Sequence, residues 1–269
     1  MSRESIRFPA GLEGRATLVR PLRPLFEAHR HDELELNLVT AGRAWYLGDG
    51  ARRIELGTGA LTWWFPAEDH LLIAADPDTS MWVVKWKPAL IRTMISEQAD
   101  RRLAGQRHPG PRVATIGRQG MQQLVGIFSA LAGYEDDPLT VNHGYRFALR
   151  HAWSVTCALA AGDSGADLHP AVARAVRRLG NDPAVRVSEL AADAGISPDR
   201  LGRLVRAQLG QSLVELRTRR RVEVALARAD AGGTLLAGAL EAGFASYPAF
   251  IRACRRVHGA SPQEVRTKA

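Results

Sequence analysis

Two sets of side chains in this 269-residue sequence have the types and spacing to do chemistry. The first is His29-x-His31-x3-Glu35, with His70 further along. Residues 29, 31 and 35 share parity, so one extended strand would point all three into the same space. Three imidazoles and a carboxylate suit a divalent first-row metal. The same groups lining a polar lumen would instead hydrogen-bond to one another and to water. The second set is arginine. Arg200, Arg203 and Arg206 recur every three residues, and Arg252, Arg255 and Arg256 cluster in a later stretch. A guanidinium pairs bidentately with guanine and also fits phosphate oxygens.

The elements that must position these arginines follow one plan, used twice. VSELAADAGISPDRLGRLVRAQLG begins at Val187, and TLLAGALEAGFASYPAFIRACRRVHG begins at Thr234. Each reads as a short apolar helix, a Gly turn, and a longer Arg-bearing helix closed by Gly. Ser188 is expected to cap the first short helix. Gly195 turns the chain, and Ser197-Pro198 gives a cap followed by Pro at the first helical position. Leu201, Leu204 and Val205 then face inward, with Leu209 a turn later, and the arginines lie on another face. In the second segment a helix starts near Thr234, Gly243 turns and Ser246 caps. Phe250, Ala253, Cys254 and Val257 make the inner face there. A leading helix over 170–179 and a long helix over 213–229 complete two helix-turn-helix units with a fixed spacer.

Residues 170–269 resemble the AraC/XylS-type DNA-binding domain. The resemblance is carried by Ala191 and Gly195-Ile196-Ser197 in the first unit. In the second it is carried by Ala239, Gly243-Phe244, Phe250, Arg252 and the closing Gly259-Ala260-Ser261-Pro262. It implies double-stranded DNA as partner. It places Asp199, Arg200, Gly202 and Arg203, then Tyr247, Pro248, Ala249 and Arg252, against the duplex. Within that set Arg203 and Arg252 are expected at base edges, and Arg206, Arg255 and Arg256 at phosphates. Two positions depart from the family pattern. Gly238 stands where a large aliphatic residue is usual, and Ala245 where Ser is common. A helix-interior Gly costs about 1 kcal/mol against Ala, so the second unit is expected to be looser.

Residues 16–86 read as strands. Leu34, Leu36 and Leu38 alternate with Glu33, Glu35 and Asn37, a period of two. Gly42-Arg43 is a turn, Gly48-Asp49-Gly50 a hairpin signal, and 81–86 a further strand ended by Pro88. Short strands with Gly-rich turns suggest a barrel or jelly roll. The His29–Glu35 spacing with Gly42 resembles the first cupin motif, and Gly59 followed by Pro66 to His70 resembles the second. Arg23 and Ala74 replace the Gly and Asn usual in those motifs, and the Pro-to-His spacing is one residue short. Trp45, Trp63, Trp64, Trp82 and Trp86 crowd this region, and aromatic residues in a small barrel are expected to pack its core. Parity sends Trp63 and Trp64 to opposite faces.

Helices are expected over 89–103, 119–131 and 139–159, with a loop over 105–111 between the first two. The resemblance implies that they form a dimer contact, while packing within the domain is the other reading. Composition makes 161–167 a flexible linker. The expected fold class is therefore α+β and multidomain. A cupin-like regulatory barrel spans 1–88, helical packing or dimerisation residues 89–160, a linker 161–169, and a double helix-turn-helix domain 170–269.

Charge follows that division. Residues 170–269 hold 17 Lys and Arg against 9 Asp and Glu, while residues 1–169 hold 19 of each. The whole net charge of +8 thus lies with the helix-turn-helix units. Positive charge so placed gains affinity by releasing counterions from phosphate. Cys157 and Cys254 fall in separate helices, so no disulfide is expected and a cytoplasmic setting fits. No apolar run reaches membrane-spanning length, and MSRESIRFPAGLEG does not read as a signal peptide. The expectation is a homodimeric, sequence-specific transcriptional regulator controlled by a small-molecule effector or a metal in the barrel, and not an enzyme. The rival is a metal-dependent cupin enzyme, an oxygenase or isomerase, carrying a DNA-binding appendage. No nucleophile triad or phosphate loop appears elsewhere in the sequence.

Overall fold

The alternating run from Leu34 does form a strand, but the strand is buried on both faces. The layering around it explains why. The computed structural model describes residues 2–3, 6–20, 29–48, 51–96, 103, 113–133, 137–159 and 165–267. The strands are β1 (Ser2–Arg3), β2 (Gly14–Val19), β3 (His29–Arg30), β4 (Leu34–Ala41), β5 (Ala44–Leu47), β6 (Arg52–Leu56), β7 (Ala60–Trp64), β8 (Leu71–Ala75), β9 (Ser80–Trp86), β10 (Val113–Thr115) and β11 (Gly165–Asp167). The helices are α1 (Pro88–Ser96), α2 (Arg118–Ala132), α3 (Pro138–Leu159), α4 (Pro170–Asn181), α5 (Val187–Asp193), α6 (Pro198–Leu209), α7 (Leu213–Asp230), α8 (Leu235–Glu241), α9 (Tyr247–His258) and α10 (Pro262–Thr267).

A five-stranded antiparallel sheet in the order β10-β7-β4-β9-β2 faces a four-stranded one in the order β11-β6-β5-β8. Along β4 the leucines point outward. Leu34, Leu36 and Leu38 join Trp63, Trp82, Trp86 and residues of α2 and α3 in one core. The other phase points between the sheets, where Val39 and Trp64 meet Tyr46, Ile54 and Leu72. The outer face of the four-stranded sheet is covered too. Leu47, Leu71 and Ile73 share a third core with α4, α5, α6 and the start of α7. Burying each such side chain is worth about 1.5–3 kcal/mol, so apolar contacts hold each layer to the next. The tail of α7 packs with α8, α9 and α10 in a fourth core around Val222, Leu226 and Phe250.

The structure corrects several local expectations. Gly165–Asp167 was expected in a flexible linker, but it forms β11 on the edge of β6, and Leu168 N donates to Ala51 O at 2.7 Å. An open strand edge offers backbone partners that composition does not reveal. Residues 161–164 lie outside the described residues. So do Asp49 and Gly50 of the hairpin signal, the 105–111 loop and most of 97–103. Ser188 is inside α5 rather than capping it. Glu189 reaches back to accept from Arg186 N at 3.0 Å and pairs with the same guanidinium. The other caps stand as read: Ser197, Thr234 and Ser246 accept from the backbone N–H groups of Arg200, Ala237 and Ala249.

Gly238 is a point of close packing, not of looseness. A Cβ there would meet Ala225 O at 2.5 Å and Arg228 Cβ at 3.2 Å. The missing side chain is what lets α8 lie against α7. Gly195 and Gly243, the two turn residues, have φ of +69° and +84°, a region that L side chains rarely adopt.

Candidate functional site

His29, His31 and His70 come together between the sheets. Their available ligand atoms all lie within 4.8 Å of one another. Residues 29, 31 and 35 do not share one strand, as parity suggested. His29 is on β3, the chain bends after His31, and β4 begins at Leu34. His70 is brought in by a two-way backbone bridge to His29. The turn before it holds Ala67 at φ +64°, with its N–H donating to His31 O at 2.9 Å.

Glu35 borders the imidazoles. Its Oε2 lies 2.9 Å from His31 Nε2, 3.0 Å from Lys85 Nζ and 3.8 Å from His70 Nε2. Burial alone would raise the Glu35 pKa. Lys85, the His31 hydrogen bond and the neighbouring imidazoles more than offset it and hold the carboxyl well below the usual range. Burial drives His70 the other way for an imidazole, down to about 3, although Glu35 opposes the shift. The ring is therefore neutral at pH 7, the form that ligates metals.

The donor set fits a metal ion. His31 Nδ1 faces Glu33 O at 3.0 Å, and His70 Nδ1 faces Glu68 O at 3.3 Å. A carbonyl at Nδ1 is the outer support that leaves Nε2 of His70 as the ligand atom, whereas a metal at His31 would take the place of its Nε2 bond to Glu35. His70 Nε2 is buried without a hydrogen-bond partner.

Residues that the motif reading passed over complete the lumen. Lys85, Glu35 and Trp64 form one cross-strand row, and Val83, Asn37 and Thr62 form the next. Trp64 stacks on His70 with ring centroids 4.7 Å apart and planes 11° from parallel. Asn37 Oδ1, Thr62 Oγ1 and Trp64 Nε1 are buried and unpartnered. Asn37 Nδ2 donates to the Tyr46 hydroxyl at 3.2 Å, and burial beside Glu35 pushes that phenol well above its ordinary pKa. Lys85 was legible as the one charge in the apolar run 81–86, on the parity of Met81 and Val83. Trp63 takes the opposite face and donates to Thr156 Oγ1 at 2.9 Å.

The arginines of the C-terminal part divide in two. Four of the five on α7 are committed inward. Arg217 donates to Val185 O, Arg219 to Ala75 O, Arg220 to Gly180 O, and Arg221 to Pro183 O and Ala184 O. Arg174, Arg177, Arg178, Arg186, Arg228 and Arg266 also have protein acceptors. Arg200, Arg203 and Arg206 on α6 and Arg252, Arg255 and Arg256 on α9 are exposed. Among the described residues none of these six guanidinium groups makes a hydrogen bond or an ion pair. Tyr247 differs from them. It is half-buried, packs near Phe250, and its hydroxyl accepts from Gln263 Nε2 at 3.2 Å.

Comparison with known proteins assigns a family to each of the two parts of the chain. Residues 16–148 match the model of the AraC-like ligand-binding domain, and residues 190–268 match a helix-turn-helix domain model. No curated protein matches the chain. Among solved structures, apo ToxT from Vibrio cholerae aligns over 94% of this chain and 96% of its own, at 14% identity and a TM-score of 0.43. ToxT bound to an unsaturated fatty acid aligns over 94% and 93%, at 12% identity and 0.41. The C-terminal domain of AraT, a response regulator from Geobacillus stearothermophilus, covers 39% of this chain and 89% of its own at 24% identity and 0.36. The two family models together span most of the sequence, and the chain belongs to the AraC family: a DNA-binding transcriptional regulator with an N-terminal ligand-binding domain.

Proposed function

We propose that α6 and α9 enter successive major grooves on one face of the duplex, about 10 bp apart, with α7 setting the spacing. The observation that carries this reading is the division of the arginines: in residues 170–269, the six that make no hydrogen bond or ion pair among the described residues all lie on these two helices. Arg203 and Arg252 read base edges. Arg200, Arg206, Arg255 and Arg256 hold phosphate, and Tyr247 supports α9 beside the backbone. An operator selected from a random duplex pool provides the test. Arg203→Ala is expected to cost about 1–3 kcal/mol and relax one base position, while Arg256→Ala weakens all sequences alike. Equal, sequence-blind losses in both would overturn the assignment.

The effector site is the lumen of the cupin-like barrel. A divalent metal there would be held by His29, His31 and His70, with Glu35 and Lys85 bordering it, and would supply a fixed positive centre for an oxygen ligand. The unpartnered Asn37, Thr62 and Trp64 groups give a small organic effector both donors and acceptors. Elemental analysis of protein purified without chelator tests the metal. About one equivalent per chain is expected, and none would leave a purely organic pocket. The regulator acts as a homodimer in the cytoplasm, and Leu139 and Phe147 stand exposed on α3 for a second copy. Cys157 and Cys254 form no disulfide, as a reducing compartment would require. Among the described residues no helix is long and apolar enough to cross a membrane. Sedimentation of Phe147→Glu as a dimer would remove α3 as the contact.

A further inference from the structure

The C-terminal part does not share one core. Leu168, α4, α5, α6 and the first turn of α7 (Leu213 and Leu216) are packed with Leu47, Leu71 and Ile73 of the barrel. The second unit packs separately, against Val222, Ala225 and Leu226 further along α7. Polar contacts divide in the same way. Arg177 donates to Gly48 O at 2.9 Å, Arg53 to Gln208 O at 2.6 Å, and Arg219 to Ala75 O at 3.1 Å, all joining the barrel to α4, α6 or the first half of α7. Beyond residue 221 the partners of α7 lie in the second unit. Arg228 meets Glu241, and Glu223 lies 3.0 Å from His258, off the hydrogen-bond direction. The units touch each other where Gly243 approaches Ala184 and Arg221.

Strand β8 links the lumen to this shared core. His70, at its start, stands among the imidazoles. Leu71 and Ile73 point the opposite way, into the core shared with α4–α6, and Ala75 O at its end accepts from Arg219. Interiors are close-packed, so a shift of β8 on its lumen side is felt by the side chains on its other face.

We infer that the barrel and the first helix-turn-helix unit form one cooperative body, and that the second unit is a separate one. Resting on the reading of the lumen as the effector site, this makes the half-site read by α6 respond to effector, while the half-site read by α9 supplies constant affinity. Cooperative units of this kind open together in hydrogen exchange.

Hydrogen–deuterium exchange on the full chain tests it. Ile73→Ala is expected to speed exchange in β8 and in α4–α6 together, by roughly tenfold or more, with α8 and α9 at parent rates. Leu226→Ala is expected to do the reverse. Should Ile73→Ala fail to accumulate as folded protein, Arg177→Ala, which removes the bond to Gly48 O, is read in the same way. Acceleration of α8 and α9 equal to that of α4–α6 would overturn the inference, as would α4–α6 staying at parent rates while β8 opens. Binding of the parent protein to a random duplex, measured alongside, tests the DNA-binding reading separately.

Discussion

Helix α7 carries five arginines and helices α6 and α9 carry three each, and four of those on α7 are used in the opposite way to those on α6 and α9. On α7, Arg217, Arg219, Arg220 and Arg221 end on backbone carbonyls of the barrel and of the 180–185 stretch. On α6 and α9 the guanidinium groups end in solvent. Net charge counts both groups alike, so a charge of +8 overstates the surface that can meet phosphate. A guanidinium bonded to a buried carbonyl contributes to folding. One kept free of partners is preorganised for a ligand, because no protein bond must break first.

The largest effect expected from breaking this contrast is at Arg220. It is 4% exposed and donates twice to Gly180 O, at 2.5 and 3.2 Å. Arg220→Ala should lose about 2–4 kcal/mol in urea unfolding, through the unsatisfied carbonyl and the cavity. Arg252→Ala should stay within about 0.5 kcal/mol of the parent in the same assay while weakening operator binding by about 1–3 kcal/mol. Comparable stability losses in the two would erase the distinction.

A second contrast lies between the lumen and the DNA face, and pH sharpens it. The folded-state pKa of His70 is depressed to about 3, so the unfolded chain binds that proton first. Stability from this group is complete above the ordinary imidazole pKa of about 6.5 and is lost progressively as pH falls toward 3. Glu35, also depressed, adds stability above the ordinary carboxylate pKa of about 4.3, lost as pH falls through its folded value. Urea midpoints of the parent should therefore fall between pH 7 and pH 5, and His70→Gln should flatten that fall. An unchanged slope would place the acid sensitivity elsewhere. The smallest effect expected is at Ala67, whose φ of +64° suits Gly. Ala67→Gly should stabilise by about 0.5–1 kcal/mol, read as a raised urea midpoint.

Much of this fold was legible because local rules and tertiary packing agree. The Ser caps, the two Gly turns and the apolar faces of α6 and α9 follow from short-range chemistry. The two-part architecture was likewise readable from patterning, while His70 joined His29 and His31 only through the resemblance to the second cupin motif. Long-range partners were not. Nothing local marks Gly165–Asp167 as the strand that completes the edge beside β6, or Leu71 and Ile73 as seats for α4–α6. The period of two in β4 was read correctly and Glu35 was sent toward a lumen, but that the leucine phase packs outward against α2 and α3 is something only the fold reveals. Gly238 made sense only once α7 was seen beside it.

The most direct measurement is the salt dependence of binding to a random-sequence duplex, which requires no operator. Each phosphate contact contributes about 0.9 to the slope of log K against log salt. Arg255→Ala and Arg256→Ala should each reduce the slope by about that amount, while Arg219→Ala, folded and bonded inward, should leave it unchanged. A slope that drops equally for all three would contradict the account.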